Sequence, residues 1–342
     1  MKHQAIAAGF RLLAATRADR WLAPLARGCG AILMFHHVRP ASDDPFQPNA
    51  LLAITPEHLD RTLGLVRRLG FDIVPLDEAP ARLASGKERF VALTFDDGYR
   101  DNLDQALPVL KRHGAPWTMF VTTDYASGEG RLWWLELEEV VRASDHVELR
   151  GGPVAAGTTA EKEAAFSAAY RELRAGPEDL LRDTLARWCD QAGIDRPGLV
   201  RRLCLGWSDL TDLSRETGVT IGAHTLTHPM LAKHDEATAR REITECRSVI
   251  SERLGREVRH LAYPVGDPTS AGPREFALAR EAGFATAVTT RPGHLFPAHA
   301  GHLTALPRVS VNGLYQSEAA MRSLLSGVPF LAWNRGRRVS VS

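Results

Sequence analysis

The chain has 342 residues, a length that fits one large α/β domain or two smaller ones. Hydrophobic residues make up 44% and charged residues 24% of the chain, both near the globular average, so a packed core can form without disulfides or structural metals. The 42 Lys and Arg residues are balanced by 41 Asp and Glu residues, which leaves no basic surplus to neutralise phosphates. We therefore expect no nucleic-acid partner.

None of the four cysteines belongs to a CxxC pair, a pattern that favours free thiols over a zinc ribbon or a disulfide framework. No long apolar core precedes a small-residue cleavage site, so we predict no signal peptide. No run of about 18 apolar residues is present, so we predict no membrane-spanning helix. These features favour a cytoplasmic protein, with or without peripheral contact at the inner membrane.

Residues 1–30 are predicted to form an N-terminal amphipathic helical segment, and residues 31–342 the main domain. Within the first segment, residues 9–27 mix apolar side chains with four arginines and read as one basic amphipathic helix. Two interpretations of this helix remain open. It packs on the protein's own body, or it makes peripheral contact with a membrane surface.

Short apolar runs alternate with helical periods along the main domain. The predicted elements are, in chain order, a strand at 31–35, a loop at 40–48, a helix from 55 to 70, strands at 71–74 and 90–95, a helix at 102–113 and a strand at 117–122. Residues 130–215 are rich in helical pattern and read as a helical insertion. Alternation then resumes with a strand at 219–222, a helix at 235–254, a strand at 258–263, a helix at 273–282, a strand at 284–289 and a helix at 316–326. This rhythm predicts parallel βαβ units and an α/β fold.

Two adjacent carboxylates, Asp96 and Asp97, follow the predicted strand at 90–95 and precede Gly98. Such a pair is costly unless a positive group lies beside it. On a regular strand the two side chains would point to opposite faces, but Gly98 lets the backbone turn so that both can face one mouth. A plain surface Asp-Asp-Gly turn is the alternative interpretation.

Two imidazoles four residues apart, His224 and His228, follow the predicted strand at 219–222. Ligands gather at the carboxyl ends of parallel strands, and two imidazoles at this spacing can reach one ion. A structural role for each histidine is the alternative interpretation.

One carboxylate and these two imidazoles would supply three protein ligands and leave an open coordination position, as catalytic metal sites do. The other carboxylate would then be free to act as a base, which is the division of roles expected for metal-assisted hydrolysis. Two histidines and one carboxylate are also the facial triad of iron oxygenases, an alternative class that has no need of the second aspartate.

Three segments resemble the motifs of the polysaccharide deacetylases, carbohydrate esterase family 4, also described as the nodulation-protein-B homology domain. They are Thr94-Phe95-Asp96-Asp97-Gly98, His224-Thr225-Leu226-Thr227-His228 and Arg259-His260-Leu261-Ala262-Tyr263-Pro264-Val265-Gly266. The resemblance covers about residues 31–310, with the helical insertion outside it. It implies a distorted (β/α) barrel with a metal at its mouth.

The resemblance also implies a role for each matching residue. Asp96 would be the general base, and the backbone N–H of Tyr263 would help to hold the oxyanion. A divalent metal, zinc in most of the family, would be bound by Asp97, His224 and His228. The implied activity is removal of N-acetyl groups from an acetylated glycan of the N-acetylglucosamine type, a hydrolysis of a non-peptide carbon–nitrogen bond. An O-acetyl esterase and a non-catalytic carbohydrate-binding relative are the alternatives, and neither the glycan nor the oligomeric state follows from the sequence.

The chain departs from the usual family pattern at the general acid. That acid usually comes from a C-terminal Leu-x-His motif, and no such motif holds the three C-terminal histidines His294, His299 and His302. In contrast, residues 33–38 resemble the N-terminal segment of exopolysaccharide deacetylases whose acid follows the first strand. We therefore predict His36 as the acid, with His37 as the second candidate. A core or loop histidine pair is the alternative.

Two further positions are open to more than one interpretation. Ala262 stands where the family commonly has an arginine that orients the base, and Arg308 is a candidate replacement, unless it is a surface arginine paired with another carboxylate. Trp133 and Trp134 would line the substrate groove, since aromatic faces stack on sugars, or would pack in the core of the insertion.

Overall fold

The structure, a computed structural model, describes residues 2–339 and 341. Its strands are β1 (Gly30–Phe35), β2 (His37–Val38), β3 (Ala53–Ile54), β4 (Asp72–Ile73), β5 (Phe90–Phe95), β6 (Trp117–Val121), β7 (His146–Leu149), β8 (Gly152–Ala155), β9 (Val219–Ala223), β10 (His260–Ala262), β11 (Thr286–Pro292) and β12 (Leu306–Ser310). Its helices are α1 (Lys2–Thr16), α2 (Ala18–Trp21), α3 (Ala23–Ala26), α4 (Pro56–Arg68), α5 (Ala79–Ser85), α6 (Leu107–Arg112), α7 (Thr123–Ala126), α8 (Trp133–Ala143), α9 (Thr159–Ala175), α10 (Glu178–Gln191), α11 (Arg196–Leu203), α12 (Trp207–Leu213), α13 (Glu236–Leu254), α14 (Pro273–Glu281), α15 (Glu318–Ser326) and α16 (Val328–Trp333).

Seven parallel strands close into a barrel in the order β1, β12, β11, β10, β9, β6, β5, and β5 pairs back to β1. The short strand β4 pairs with the first residues of β5. The barrel is uneven, because β9 and β10 share only the Leu261–Ala223 register pair and the register shifts between β11 and β12. The predicted (β/α) barrel is confirmed.

The barrel strands read as nearly continuous apolar runs because both of their faces are covered. All six residues of β1 and of β5 are buried. Alternate residues such as Ile32, Ala92 and Phe120 form a cluster inside the barrel. Their neighbours, such as Leu33 and Phe95, pack outward beneath the helices.

Helix α4 shows how local sequence fixes the outer layer. The Thr55 hydroxyl accepts a hydrogen bond from the His58 N–H at 3.1 Å and so caps the helix. Leu59 and Leu63, one helical turn apart, are fully buried against the barrel. Gly70, with φ of +73°, takes the left-handed conformation that follows the end of the helix. The predicted helix at 55–70 is confirmed.

The segment predicted as a helical insertion, 130–215, contains α8 to α12 and one antiparallel hairpin, β7–β8, that the sequence analysis did not foresee. Its apolar side chains form a second cluster, separate from the barrel interior, that includes Trp133, Trp134 and Leu185. The insertion therefore has a small core of its own beside the barrel.

The single helix predicted over residues 9–27 is wrong. The segment forms α1, α2 and α3, because Arg17 adopts a left-handed φ of 54° and Pro24 starts a new turn. The apolar residues are consequently divided between two environments. Phe10 is buried and its ring lies 5.3 Å from that of Tyr315, whereas the Trp21 side chain is 74% exposed. Within the described residues, no helix has the length and apolar character needed to cross a bilayer.

Buried His294 should make the fold sensitive to acid. Burial lowers the pKa of His294 to about 4, while its Nε2 atom lies 2.9 Å from the Leu324 carbonyl oxygen. Between pH 6.5 and pH 4 the unfolded chain binds a proton at this position that the folded chain does not, so stability falls as the pH falls through that window. The full loss is about 3 kcal/mol at pH 4 and below.

We expect His294→Gln, which cannot titrate, to lose less unfolding free energy between pH 7 and pH 4 than the wild type. Urea unfolding at several pH values measures this difference. The same substitution at exposed His146 serves as the matched control and should leave the wild-type pH dependence in place. An identical pH dependence in wild type and His294→Gln would contradict the assignment.

Candidate active site

The carboxyl ends of the parallel strands bring the predicted site residues to one mouth of the barrel. His36 follows β1, Asp96 follows β5 and His224 follows β9. The register pairs Phe35 with Phe95, so His36 and Asp96 leave adjacent strands side by side. These side chains line a cavity of about 610 Å³ together with Asp97 and His228.

The backbone around this mouth is unusual. Four non-glycine residues in the described chain adopt left-handed φ values here: Asp97 (71°), Thr225 (66°), His228 (60°) and Val265 (60°). Such conformations cost free energy and persist where the surrounding structure holds them. Their concentration at one place indicates that the side chains are aimed by the fold rather than by local preference.

Asp97, His224 and His228 converge on a common point. The Asp97 Oδ1 atom lies 3.4 Å from His224 Nε2 and 3.3 Å from His228 Nε2, and all three residues are buried. Oδ1 nevertheless accepts no hydrogen bond from the described residues. Burial acts to raise the pKa of Asp97, but the two imidazoles outweigh it and hold that pKa well below its usual range. The carboxylate is therefore charged and has free acceptor capacity.

The tautomer of His224 is set by its second nitrogen. Its Nδ1 atom lies 2.7 Å from the Ala262 carbonyl oxygen, which can only accept, so Nδ1 carries the proton. Nε2 is then the ring nitrogen left to bind a metal in place of a proton, and it faces Asp97 Oδ1. A neutral imidazole nitrogen, a second one from His228 and a charged carboxylate oxygen form a donor set suited to a divalent transition metal.

Two buried glutamates hold the loop at residues 224–230, which carries His224 and His228 and which we call the histidine loop. Glu242 of α13 accepts hydrogen bonds from the backbone N–H groups of Leu226 and Thr227, each at 2.9 Å. Glu178 of α10 accepts from the Met230 N–H at 2.7 Å. The helical insertion is thus hydrogen-bonded directly to the loop that follows His228. The sequence analysis missed both glutamates, since neither lies in a recognisable motif.

Asp96 is paired with Arg308. Its two carboxylate oxygens accept from Nη1 and Nη2 of Arg308, each at 2.7 Å, and both residues are buried. Arg308 also donates from Nε to the Thr289 carbonyl at 2.8 Å, which fixes the plane of the guanidinium. Burial acts to raise the pKa of Asp96, but Arg308 outweighs it and keeps that pKa below its usual value. The expected pairing of Arg308 with the carboxylate is present, and Asp96 is held charged and oriented.

Arg308→Lys should move the acidic limb of the pH–rate profile upward. Lysine keeps the positive charge but cannot make the two-pronged contact, so the pKa of Asp96 rises. A hydrogen bond to a charged group is worth about 1.5–3 kcal/mol, equivalent to roughly one to two pH units. The measurement is kcat/KM against pH. A limb that stays at the wild-type pH would contradict the role of Arg308 as the residue that positions Asp96.

His36 and His37 have different surroundings. His36 lines the cavity, with Nε2 at 4.0 Å from Asp96 Oδ2. Burial lowers the pKa of His36, although Asp96 opposes the shift, so this imidazole readily releases a proton once it holds one. His37 instead bonds through Nδ1 to Asp101 Oδ2 at 2.6 Å and stacks on Tyr99 with ring centroids 3.6 Å apart. Of the two candidates, only His36 faces the mouth.

The prediction for Tyr263 is wrong. Its backbone N–H donates to the Val288 carbonyl at 3.1 Å, so it completes the β10–β11 ladder and is not free to hold an oxyanion. Its side chain is buried and donates to the Thr304 carbonyl at 2.8 Å. Val265, two residues later, lines the cavity, and its backbone N–H makes no hydrogen bond with the described residues. Its place just before Gly266 in the third motif was the available signal.

The two tryptophans combine a core position with a place in the cavity wall. Each is buried in the core of the insertion and each also lines the cavity. The Trp134 ring lies 5.0 Å from the His228 ring, and the Trp133 ring lies 5.2 Å from that of Tyr170. One wall of the cavity is therefore aromatic and is supplied by the insertion. The C-terminal His294 and His299 are buried and do not line the cavity.

The family model for polysaccharide deacetylases matches residues 84–152 and 185–287, together half of the chain. The chain belongs to the polysaccharide deacetylase family. The unmatched residues 153–184 lie within the segment predicted as the helical insertion. Family membership supports deacetylation of a polysaccharide, and hence a hydrolase.

Individual relatives agree with this assignment. The YxkH protein of Bacillus subtilis strain 168, to which a polysaccharide deacetylase activity has been assigned by inference, resembles this chain. The two sequences are 27% identical over 131 residues, 35% of this chain. That alignment spans only 44% of YxkH.

Two solved structures share the fold. The Streptococcus pyogenes deacetylase PplD, in complex with acetate, aligns with a TM-score of 0.56 at 18% identity and covers 83% of this chain and 92% of its own. IcaB from Ammonifex degensii aligns with a TM-score of 0.54 at 18% identity and covers 88% of this chain and 97% of its own. At this identity the likeness concerns the fold alone.

Proposed function

We propose that this polysaccharide deacetylase is a metal-dependent N-deacetylase that acts on a glycan of the N-acetylglucosamine type. The observation that carries the proposal is the pairing of two carboxylates with different partners in one cavity. Asp97 lies between two imidazoles, whereas Asp96 is held by Arg308. Two carboxylates in different environments can take two different roles, one as a metal ligand and one as a base.

The metal site fits the residues present. Asp97 Oδ1 is a buried acceptor without a donor among the described residues, and the Nε2 atoms of His224 and His228 face it. These three residues would hold a divalent cation, with zinc as the proposed ion, and would leave coordination positions for water and substrate. When bound, the cation would polarise the acetyl carbonyl and lower the pKa of a water molecule.

Asp96 supplies the base. Its low pKa keeps it ionised, and the contact with Arg308 fixes its orientation, so it can take the proton of the water that attacks the acetyl carbon. As the attack proceeds, negative charge develops on the carbonyl oxygen. Val265 belongs to the cavity wall, and its N–H, which has no partner among the described residues, would donate to that oxygen, a contribution of about 3 kcal/mol when such a donor is well aligned.

His36 supplies the acid. The leaving amine must gain a proton before the carbon–nitrogen bond breaks, and His36 lies in the same cavity, 4.0 Å from Asp96. Its lowered pKa means that it gives up a proton readily once it holds one. The aromatic wall formed by Trp133, Trp134 and Tyr170 would seat the sugar ring, since aromatic faces pack on the apolar faces of sugars.

A panel of acetylated glycans tests the proposal. The purified protein should release acetate from N-acetylglucosamine oligomers faster than from O-acetylated xylan at equal acetyl concentration. A preference for the O-acetylated substrate would replace the N-deacetylase with an O-acetyl esterase. Glycan binding without acetate release from any member of the panel would indicate a non-catalytic relative.

A further inference from the structure

The base of the barrel, at the end opposite the mouth, concentrates arginine side chains. Arg27 shortly precedes β1 and Arg89 directly precedes β5, so both lie at the amino ends of parallel strands. These two arginines line a surface pocket of about 350 Å³ together with Arg20, Arg68 and Arg322. Five arginines and one carboxylate residue, Asp19, therefore line one small depression.

Among the described residues, carboxylate partners are present for two of the five, Arg68 and Arg322. Arg322 lies 3.5 Å from Asp19, and Arg68 lies 3.4 Å from Glu318. Within the described residues, no carboxylate oxygen lies within 4.0 Å of Arg20, Arg27 or Arg89.

Arg27 and Arg89 both approach the ring of Phe71. Their guanidinium carbons lie 5.6 and 5.4 Å from the centre of the same Phe71 ring. Burial and the neighbouring Arg89 both lower the pKa of Arg27. Like charges held together without a counter-charge would be stabilised by an anion from outside the protein.

Exposed apolar side chains lie on or beside the helices that line this pocket. Trp21 is 74% exposed and follows Arg20 in α2. Leu25 is 64% exposed and lies in α3, which also contributes to the pocket lining. The C-terminal helix α16, which packs on α3, adds Trp333 at 55% exposure. Arg338 donates to the Leu25 carbonyl at 3.1 Å, which fixes the C-terminal arginines beside these residues. We call this surface the basal patch; it comprises Arg20, Trp21, Leu22, Leu25, Arg27, Arg89, Trp333, Arg337 and Arg338.

The two ends of the chain, like the pocket, contain many more basic than acidic residues. Residues 2–42 contain one acidic residue, Asp19, which is buried and paired, and residues 319–342 contain none. The whole chain is nearly neutral, with a formal net charge of +1. The basic residues of the two chain ends are therefore not balanced by acidic residues within those segments. At the same end of the barrel, exposed Glu88 precedes Arg89 but is itself paired with Arg82.

We propose that the basal patch binds the surface of a bilayer that contains anionic phospholipids. The arginine pocket would take a phosphate headgroup, and Trp21 and Leu25 would enter the interface, where amphipathic aromatic rings are favoured. A second copy of the chain is a poorer occupant, because a symmetric contact would place arginine against arginine. Since the patch lies at the base, the mouth of the barrel would face the aqueous phase. The proposal does not depend on the reaction proposed above.

Flotation of the full chain with vesicles tests the patch. The protein should float with vesicles of equal parts phosphatidylcholine and phosphatidylglycerol, should not float with pure phosphatidylcholine, and should be released as salt is raised. Each of Arg20→Gln and Arg337→Gln should weaken partitioning about fivefold. Trp21→Ser should weaken it about tenfold.

Leu180→Ser and Arg187→Gln, at exposed positions of the insertion, are matched controls and should float like the wild type. The patch variants should release acetate from soluble oligomers at the wild-type rate. The proposal is overturned if the wild type does not float with anionic vesicles, or if the patch variants float as well as the controls. A patch variant that alters the oligomeric state while vesicle binding is absent would overturn it in favour of self-association.

Discussion

Asp96→Asn is expected to reduce acetate release about 10²–10⁴-fold, the contribution typical of a positioned general base. Asparagine keeps the shape of the side chain but cannot take a proton. It also leaves Arg308 buried without its carboxylate, which costs about 3–5 kcal/mol of stability. Activity and unfolding therefore need to be measured on the same preparation.

The double variant Asp96→Asn with Arg308→Met separates catalysis from folding. It removes both buried charges, so we expect the unfolding free energy to return toward the wild-type value, as replacement of a buried ion pair by apolar groups often allows. Acetate release should remain as low as in Asp96→Asn. Recovery of turnover together with stability would show that Asp96 acts only in folding and would exclude it as the base.

Asp97→Asn is expected to lose both bound metal and activity while the fold is kept. The amide is isosteric with the carboxylate but is neutral, so it offers a much weaker ligand beside the two imidazoles. The loss of metal affinity should exceed the roughly 10–100-fold that follows from losing an outer-shell partner. Metal content by elemental analysis, together with acetate release, measures the effect.

His37→Gln is the matched control for that experiment. His37 is buried near the same mouth, but its Nδ1 bonds to Asp101 and its ring stacks on Tyr99. Its replacement should therefore leave metal content unchanged. Equal metal content in Asp97→Asn and the wild type would remove Asp97 from the metal site.

The barrel and the convergence of Asp97, His224 and His228 could be predicted because their signals are local. Apolar runs of strand length, each followed by a polar motif, fix both the parallel sheet and the edge at which the motifs meet. The spacing of His224 and His228 and their place after a strand indicate one ion. Arg308 could be named as a candidate because it lies in the short apolar run Leu306-Pro307-Arg308-Val309 near the end of the chain.

The remaining parts of the site depend on backbone pairing and long-range contacts that the sequence does not display. The third motif does not reveal which backbone N–H groups are hydrogen-bonded within the sheet. The Tyr263 N–H is bonded in the β10–β11 ladder, whereas the Val265 N–H has no partner among the described residues. Glu178 reaches the histidine loop from the insertion, 52 residues away in the chain. The broken N-terminal helix depends on the left-handed Arg17, a conformation that no helical period indicates.

Removal and restoration of the metal tests the proposed chemistry most directly. Purified protein treated with a chelator, and shown by elemental analysis to be free of metal, should release no acetate from N-acetylglucosamine oligomers. Addition of one equivalent of zinc should restore the original rate in the wild type but not in Asp97→Asn. Full acetate release by the metal-free protein would contradict a metal-dependent deacetylase.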